Sequence, residues 1–294
     1  MWYQPPMSDR LRRARACLRG LAVGDALGDA LYAGADERVL PPAPWRWTDD
    51  TEMACSVVHV LATHGRLDVE ALEASFVDHH DPDRGYGAGT DAMLSSAGRL
   101  GVSLRALAAE SFGGAGSWGN GASMRVAPIG AWFAGDPVTT AREAAESARV
   151  THTHPDGVAG AVATAVAASL AASGAPAREL FDGVLAHTPD GAVRAGVESA
   201  AGLDGATPAD AAAALGTGSR QSGPDTVPLA LWVAGRSLDD YAEAVWTAAA
   251  VAVDVDTVCA IVGGIVAGRL GSAGVPEPWR SACEPLPSWV ISPR

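Results

Sequence analysis

Apolar side chains recur every three or four residues along most of this chain, which is the spacing of one face of an α-helix. No stretch shows the strict alternation of apolar and polar residues that predicts a half-buried strand. The pattern therefore predicts an all-α fold. The segments with the clearest helical repeat are residues 10–21, 49–61, 69–77, 137–150, 157–172, 238–251 and 257–270.

Short polar residues mark the predicted helix starts. Their side chains accept hydrogen bonds from the free N–H groups of the first turn, and Pro fits the first position because it has no N–H to lose. The predicted caps are Thr48, Asp68, Asp136 (followed by Pro137) and Asp156. Gly- and Pro-rich gaps separate helices at residues 81–89, 113–121 and 216–228. None resembles an interdomain linker, so residues 1–294 are predicted to form one domain.

Composition narrows the classes of function. The 294 residues are 48% hydrophobic, which is enough for a sizeable core, and the formal net charge is −13. A protein this acidic is a poor general binder of nucleic acid. All 21 basic residues are Arg, and the absence of Lys excludes a Schiff-base or pyridoxal-phosphate enzyme and a Walker P-loop.

Other features predict a cytoplasmic protein outside membranes. Residues 1–15 are polar and Arg-rich, unlike a signal peptide. The uncharged segment 157–174 is Ala-rich and short, which favours a buried core helix over a membrane span. Three of the four cysteines lie in apolar helical runs, and none has metal-site spacing. These cysteines are Cys17, Cys55, Cys259 and Cys283. A monomer is the default expectation.

Two acidic clusters carry the first chemical signal. They are Trp47-Thr48-Asp49-Asp50-Thr51 and Asp254-Val255-Asp256-Thr257. Both lie at predicted helix starts beside apolar runs, where neighbouring carboxylates repel each other and lose hydration. Mg²⁺ or Mn²⁺ would offset this cost, because both ions prefer carboxylate, hydroxyl and water oxygens. The clusters therefore predict a site for two such ions.

Two other interpretations of the clusters stay open here. Thr48, Asp49 and Asp50 would also serve as a simple helix cap, although two such clusters favour metal binding over capping. The second cluster fits the Asp-x-Asp-x-[Thr/Val] start of haloacid-dehalogenase-like phosphatases. Those enzymes place the motif near the N-terminus after a buried strand and usually use a Lys, and this chain has neither feature.

The Gly-rich loop of residues 113–121 is a candidate anion site. Its glycines let backbone N–H groups approach a diphosphate closely, and the flanking Phe112 and Trp118 could stack on a base. A flexible surface loop is the alternative. The apolar Met124 and Val126 follow directly, which favours a packed loop.

The histidines give a weaker signal. Thr151-His152-Thr153-His154 precedes a predicted helix, but no Cys is spaced to complete a zinc site. We therefore interpret His152 as a hydrogen-bonding residue of the site and His154 as structural. The histidines predicted to lie on the surface or in the core are His59, His64, His79 and His80.

Several motifs occur together in one order. They are Gly24-Asp25-Ala26-Leu27-Gly28, Thr48-Asp49-Asp50-Thr51, Gly119-Asn120-Gly121-Ala122, Met124-Arg125-Val126-Ala127-Pro128, Thr151-His152, and residues 254–257 followed by Gly263-Gly264. In this set, over about residues 18–270, the chain resembles the ADP-ribosylglycohydrolases, a family that includes the dinitrogenase reductase-activating glycohydrolases. Residues 81–89, 116–120 and 275–284 are similar to the branch that cleaves serine-linked ADP-ribose and poly(ADP-ribose).

The resemblance implies a cleft with two Mg²⁺ or Mn²⁺ ions and hydrolysis of the glycosidic bond at C1″ of ADP-ribose, on modified proteins or small conjugates. The metal ligands that it implies are Thr48, Asp49, Asp50, Asp254, Asp256 and Thr257. The substrate-binding residues that it implies are Phe112, Gly116, Ser117, Trp118, Gly119, Asn120, Gly121, Met124 and His152. Among these, the loop would hold the diphosphate, the two aromatic residues the adenine, and His152 the ribose. Asp49 and Asp50 are the candidates for the general base.

The chain departs from the family pattern at two places. The family usually has a Glu four residues after the last Gly of the first motif, where this chain has Tyr32. In the serine-specific branch that Glu helps to gate the site and bind metal, so an ADP-ribose-binding module with weak or no hydrolysis is the alternative function. Val253 and Val255 replace the usual Gly and Thr around Asp254, but both Asp ligands remain. The acceptor linkage and the choice between Mg²⁺ and Mn²⁺ stay open.

Overall fold

The computed structural model describes residues 7–31 and 38–290, and over these ranges the chain forms α-helices joined by loops and short 3-10 turns. The helices are α1 (Met7–Ala30), α2 (Asp49–His64), α3 (Val69–Asp78), α4 (Ala88–Leu100), α5 (Leu104–Glu110), α6 (Ala127–Trp132), α7 (Pro137–Arg149), α8 (Pro155–Ala172), α9 (Ala177–His187), α10 (Ala192–Ala201), α11 (Pro208–Leu215), α12 (Gly223–Arg236), α13 (Tyr241–Val251), α14 (Val255–Leu270) and α15 (Glu277–Ala282). Within the described ranges, β-structure is limited to two isolated bridges, Trp45 with Cys283 and Gly119 with Ser222. The all-α prediction is confirmed.

Most predicted helix starts agree with the structure. Thr48 caps α2, Asp68 caps α3 and Asp136 caps α7, each through a side-chain oxygen that accepts a backbone N–H. The predicted cap of α8 was wrong: His154 takes that role, and its Nδ1 accepts the Asp156 N–H at 3.1 Å. Pro155 then fills the first helical position, where a missing N–H costs little, so α8 begins earlier than predicted.

The gap predicted at residues 216–228 was wrong in its second half, because α12 begins at Gly223 and continues through Pro228. Proline inside a helix removes one backbone hydrogen bond. Here α10 packs directly on the proline ring through Gly196, where an added Cβ would lie 2.4 Å from Pro228 Cγ. Tertiary packing therefore overrides a local helix-breaking signal.

The contact between α1 and α14 positions the site. The two helices lie antiparallel with their backbones very close at glycines of α1. An added Cβ at Gly24 would lie 2.2 Å from Cys259 O, and one at Gly28 would lie 2.7 Å from Asp256 Cα. The start of α14, with the second acidic cluster, therefore lies beside the end of α1.

Helix α8 is a core helix. Among the residues that the structure describes, it alone is long and apolar enough to cross a membrane by length and composition, yet 78% of it is buried inside the protein. Cys17, Cys55, Cys259 and Cys283 are free thiols. Tyr32, which replaces the usual Glu, lies outside the described residues, and the single-domain organisation stays a prediction.

Candidate active site

A cleft of about 290 Å³ opens where the starts of α2 and α14 face the Gly-rich loop. The predicted site residues that line it are Asp49, Asp50, Phe112, Ser117, Gly119, Asn120, Gly121, Met124, His152, Asp254, Asp256 and Thr257. Thr48 contacts Asp50 at its edge, with 3.2 Å between Oγ1 and Oδ2. Gly116 and Trp118 line a second cavity that shares Phe112 with the cleft. The structure thus brings the whole predicted set together, and the role of each residue stays a prediction.

Asp25, on α1, organises the first acidic cluster, a role that was not predicted from its motif. Its side chain is fully buried. Oδ1 accepts the Thr48 hydroxyl at 2.8 Å, and Oδ2 accepts the Thr48 N–H at 3.0 Å. Oδ2 also accepts the N–H of Thr51 at 3.1 Å and its hydroxyl at 2.5 Å. Asp25 therefore holds the chain on both sides of the Asp49-Asp50 pair, and a carboxylate within an apolar helical run was the signal that could have revealed it.

The second acidic cluster is held by the Gly-rich loop. Asn120 Nδ2 donates to Asp254 Oδ2 at 2.6 Å and to Thr226 Oγ1 at 3.0 Å. At the start of α14, the Thr257 N–H donates to Asp256 Oδ1 at 2.9 Å. The Asn120 amide, which was assigned to substrate binding, is therefore directed at the acidic cluster.

Burial, and then repulsion between neighbouring carboxylates, raises the pKa values of the cleft carboxylates. Burial is the largest cause for Asp49 and Asp50, and the charges of neighbouring carboxylates add to it, so both pKa values lie well above the ordinary range. Burial, followed by the charge of Asp256, raises the pKa of Asp254 to about 7. Burial also raises the pKa of Asp25 to about 7, against the hydrogen bonds that it accepts.

The donor set fits hard divalent cations. Asp50 Oδ1 is buried and has no hydrogen-bond partner among the described residues, and such an acceptor is satisfied only by a proton, water or a cation. As the side chains lie, no three His, Cys, Asp or Glu residues in the described part of the chain surround a single point. Ions that keep several waters and share hydroxyl ligands do not need such a cage, and Mg²⁺ behaves in this way.

His152 packs against the Gly-rich loop between two glycines. An added Cβ would lie 3.0 Å from Nε2 at Gly119 and 3.0 Å from Cε1 at Gly121, so larger residues would displace the ring. Nδ1 contacts Thr151 Oγ1 at 2.7 Å. Burial, followed by the charge of Arg125, lowers the pKa of His152 to about 3. The ring is therefore neutral near pH 7 and offers one donor and one acceptor.

An aromatic slot of about 210 Å³ adjoins the cleft, lined by Phe112, Trp118, His154, Ala115 and Gly116. Phe112 is 75% exposed and Trp118 57% exposed, which is unusual for side chains of this size. The Trp118 ring contacts the His154 ring edge-on, with 5.4 Å between centroids. Two exposed aromatic faces at one cavity suit the stacking of a flat ring.

One wall of the cleft was not predicted from the sequence. Its lining residues are Gly85, Gly87, Ala88, Gly89, Thr90 and Met93. Glu52, on α2, holds this wall by accepting the Tyr86 hydroxyl at 2.7 Å. Arg84 forms a two-point ion pair with Glu284 at 2.8 and 2.9 Å, and its guanidinium lies 3.4 Å from the centroid of the Trp47 ring. These contacts tie the wall to the first acidic cluster.

Strained backbone also marks the cleft. Phe112 (φ 54°) and Gln221 (φ 48°) have left-handed backbone conformations that residues other than glycine rarely adopt, and both line the cleft. Gln221 O accepts the Asn120 N–H at 3.1 Å, which holds this conformation in place. Such strain concentrates at functional sites, and no sequence pattern indicated Gln221.

Fold and site together define an all-α protein whose carboxylate-lined cleft adjoins a slot for a flat ring. The family model of the ADP-ribosylglycohydrolases matches residues 6–292, and the chain belongs to this family. The resemblance noted in the sequence is thereby confirmed, and membership indicates an ADP-ribosyl hydrolase.

Individual relatives agree with this result and also cover most of the chain. ADP-ribosylhydrolase ARH3 of Bos taurus is 28% identical, covering 93% of this chain and 89% of that protein. ADP-ribosylarginine hydrolase Tri1 of Serratia proteamaculans is 24% identical, covering 93% of this chain and 76% of that protein. A solved structure described as an ADP-ribosylglycohydrolase-related protein complex superposes with a TM-score of 0.70 at 26% identity, covering 94% of each chain.

Proposed function

We propose that this protein hydrolyses the glycosidic bond at C1″ of the terminal ribose in ADP-ribosyl conjugates, with two Mg²⁺ or Mn²⁺ ions. The observation that best supports the proposal is that the aromatic slot and the cleft adjoin each other. Phe112 borders both the aromatic slot and the cleft, so one elongated ligand can reach from the slot to the carboxylates. ADP-ribose has its parts in the matching order: a flat base, a diphosphate and a terminal ribose.

Each part of ADP-ribose has a matching surface in this arrangement. Adenine stacks on Phe112 and Trp118, a contact worth about 1–3 kcal/mol per base. The diphosphate lies on the Gly-rich loop, where backbone N–H groups and the Ser117 hydroxyl can donate to it. The neutral His152 ring beside the loop hydrogen-bonds a ribose, and the terminal ribose then lies against the acidic clusters.

The carboxylates have two proposed roles: they hold the divalent ions, and they accept a proton from the attacking water. Two divalent ions held by the acidic clusters would orient the ribose hydroxyls and lower the pKa of a water molecule. The residues that would hold them are Thr48, Asp49, Asp50, Asp254, Asp256 and Thr257. Asp49 and Asp50 are the proposed acceptors of the proton from the attacking water. Asp50 supports this role, because it lines the cleft and its Oδ1 has no hydrogen-bond partner among the residues that the structure describes.

The direct test is release of ADP-ribose from matched serine-linked and arginine-linked ADP-ribosyl peptides, with Mg²⁺ and with a chelator. Asp50→Asn should abolish release, and Asp182→Asn, which changes an exposed carboxylate on α9, should leave it unchanged. Metal-dependent release from one peptide supports the proposal and identifies the linkage. Tight ADP-ribose binding without release from either peptide contradicts hydrolysis of these two linkages and supports the ADP-ribose-binding module.

A further inference from the structure

Asp25 is fully buried and hydrogen-bonds Thr48 and Thr51, the residues on either side of the cleft pair Asp49-Asp50. Each of these threonines donates both its N–H and its hydroxyl to the carboxylate. A carboxylate has about four acceptor positions, so these bonds commit both oxygens to the protein. Any role of Asp25 in the site is therefore exerted through the two threonines.

The Thr48 hydroxyl shows what that role is. Its oxygen lies 2.8 Å from Asp25 Oδ1 and 3.2 Å from Asp50 Oδ2. A hydroxyl has one proton, and the shorter contact is the better place for it. One lone pair of the Thr48 oxygen then accepts the Asp50 N–H at 3.4 Å in the helix cap, and the other is left for the acidic cluster. A hydroxyl can ligate a cation only through a lone pair, so its proton needs an acceptor elsewhere, and Asp25 is that acceptor.

We propose that Asp25 is a positioning residue of the metal site. It accepts the hydrogen bond of the Thr48 hydroxyl and fixes the turn from Thr48 to Thr51. The oxygens of Thr48, Asp49 and Asp50 are thereby directed at the same site. The inference rests on the proposed metal-dependent function. Mutation of an outer carboxylate that orients a metal ligand typically weakens metal binding by about 10–100-fold.

The test is Mn²⁺ binding, followed through the electron paramagnetic resonance signal of the free ion without any substrate. Asp25→Asn keeps the shape of the side chain but points an NH₂ donor at groups that are themselves donors. We expect the Kd for Mn²⁺ to rise about 10–100-fold. Thr51→Val removes the hydroxyl donor and should raise the Kd about fivefold. Thr51→Ser keeps that donor and should restore the wild-type value.

Glu143→Gln is the matched control, because Glu143 is also a buried carboxylate that accepts a backbone N–H, from Leu67 at 2.9 Å. It should lower stability and leave Mn²⁺ binding unchanged. Equal Mn²⁺ affinity in Asp25→Asn and wild type overturns the inference, as does an equal loss in Glu143→Gln. If Asp25→Asn does not fold, equal affinities of the Val and Ser variants at Thr51 refute it. Wild-type protein that binds neither Mn²⁺ nor, in calorimetry, Mg²⁺ overturns the proposed function itself, which separates the two failures.

Discussion

His152 is expected to make the stability of the folded protein depend on pH, because its ring is buried in the neutral form. Its pKa is lowered to about 3, first by burial and then by the charge of Arg125. An unfolded histidine has a pKa of about 6.5. Between that pH and about 3, His152 is protonated in the unfolded chain but stays neutral in the folded chain. Stability is therefore lost as pH falls from about 6.5 towards 3, and it is fully present above this window.

The size of the effect follows from the shift. Each pH unit below about 6.5 costs about 1.4 kcal/mol, so the loss from His152 at pH 5 is about 2 kcal/mol. Asp25 and Asp254 act in the opposite direction, because their pKa values are raised to about 7 and their protonation favours the folded state. The stability of wild type alone would show only the sum of these opposing contributions. The contribution of His152 therefore needs a difference between two proteins.

The assay is urea unfolding of wild type and His152→Gln at pH 8 and pH 5, in the presence of a chelator. Gln keeps a polar group near Thr151 but does not titrate. We expect the free energy of unfolding to fall by about 2 kcal/mol more in wild type than in the variant between the two pH values. The imidazole resonances of His152 should also stay constant from pH 8 to pH 5. Parallel stability profiles, or a ring that titrates near pH 6.5, would refute the reasoning.

Three further outcomes are expected. Phe112→Ala and Trp118→Ala should each weaken ADP-ribose binding in calorimetry by about 1–3 kcal/mol, with an unchanged melting temperature because both rings are exposed. Unchanged affinity in both variants would remove the slot from the binding site. Arg84→Gln breaks the two-point pair with Glu284 and should lower the free energy of unfolding in urea by about 1–3 kcal/mol. A loss below the error of the fit would show that the pair does not hold the cleft wall. Gly28→Ala puts a methyl group against the start of α14 and should cost about 1–3 kcal/mol in thermal unfolding. A variant as stable as wild type would contradict the close α1–α14 contact.

Local sequence signals predicted the helices best where the physics is itself local. Thr48, Asp68 and Asp136 cap their helices through atoms only two or three residues away, so a short window contains the whole interaction. The start of α12 was not predicted, because the interaction that allows it is not local. Its Pro228 is accommodated by Gly196 on α10, and nothing near Pro228 in the sequence records that contact.

The site divides in the same way. The presence of the carboxylates of Asp49 and Asp254 at one cleft was predictable from residue type and from their position at helix starts. The partners that hold them were not, because Asp25 bonds Thr48 across 23 residues and Asn120 bonds Asp254 across 134. Residue types thus indicated what the site contains, and only the fold showed how its members are oriented.

The glycines of α1 and the acidic clusters belong to one physical arrangement. Gathering Asp25, Asp49, Asp50, Asp254 and Asp256 around one cleft opposes folding, because each carboxylate loses hydration and repels the others. The close packing of α1 on α14 provides dispersion contacts that offset this cost. A divalent cation that binds only the folded arrangement would add stability in proportion to the logarithm of its concentration. If the proposed function holds, the crowding that weakens the cation-free protein would therefore also make the folded state the one that binds the ion.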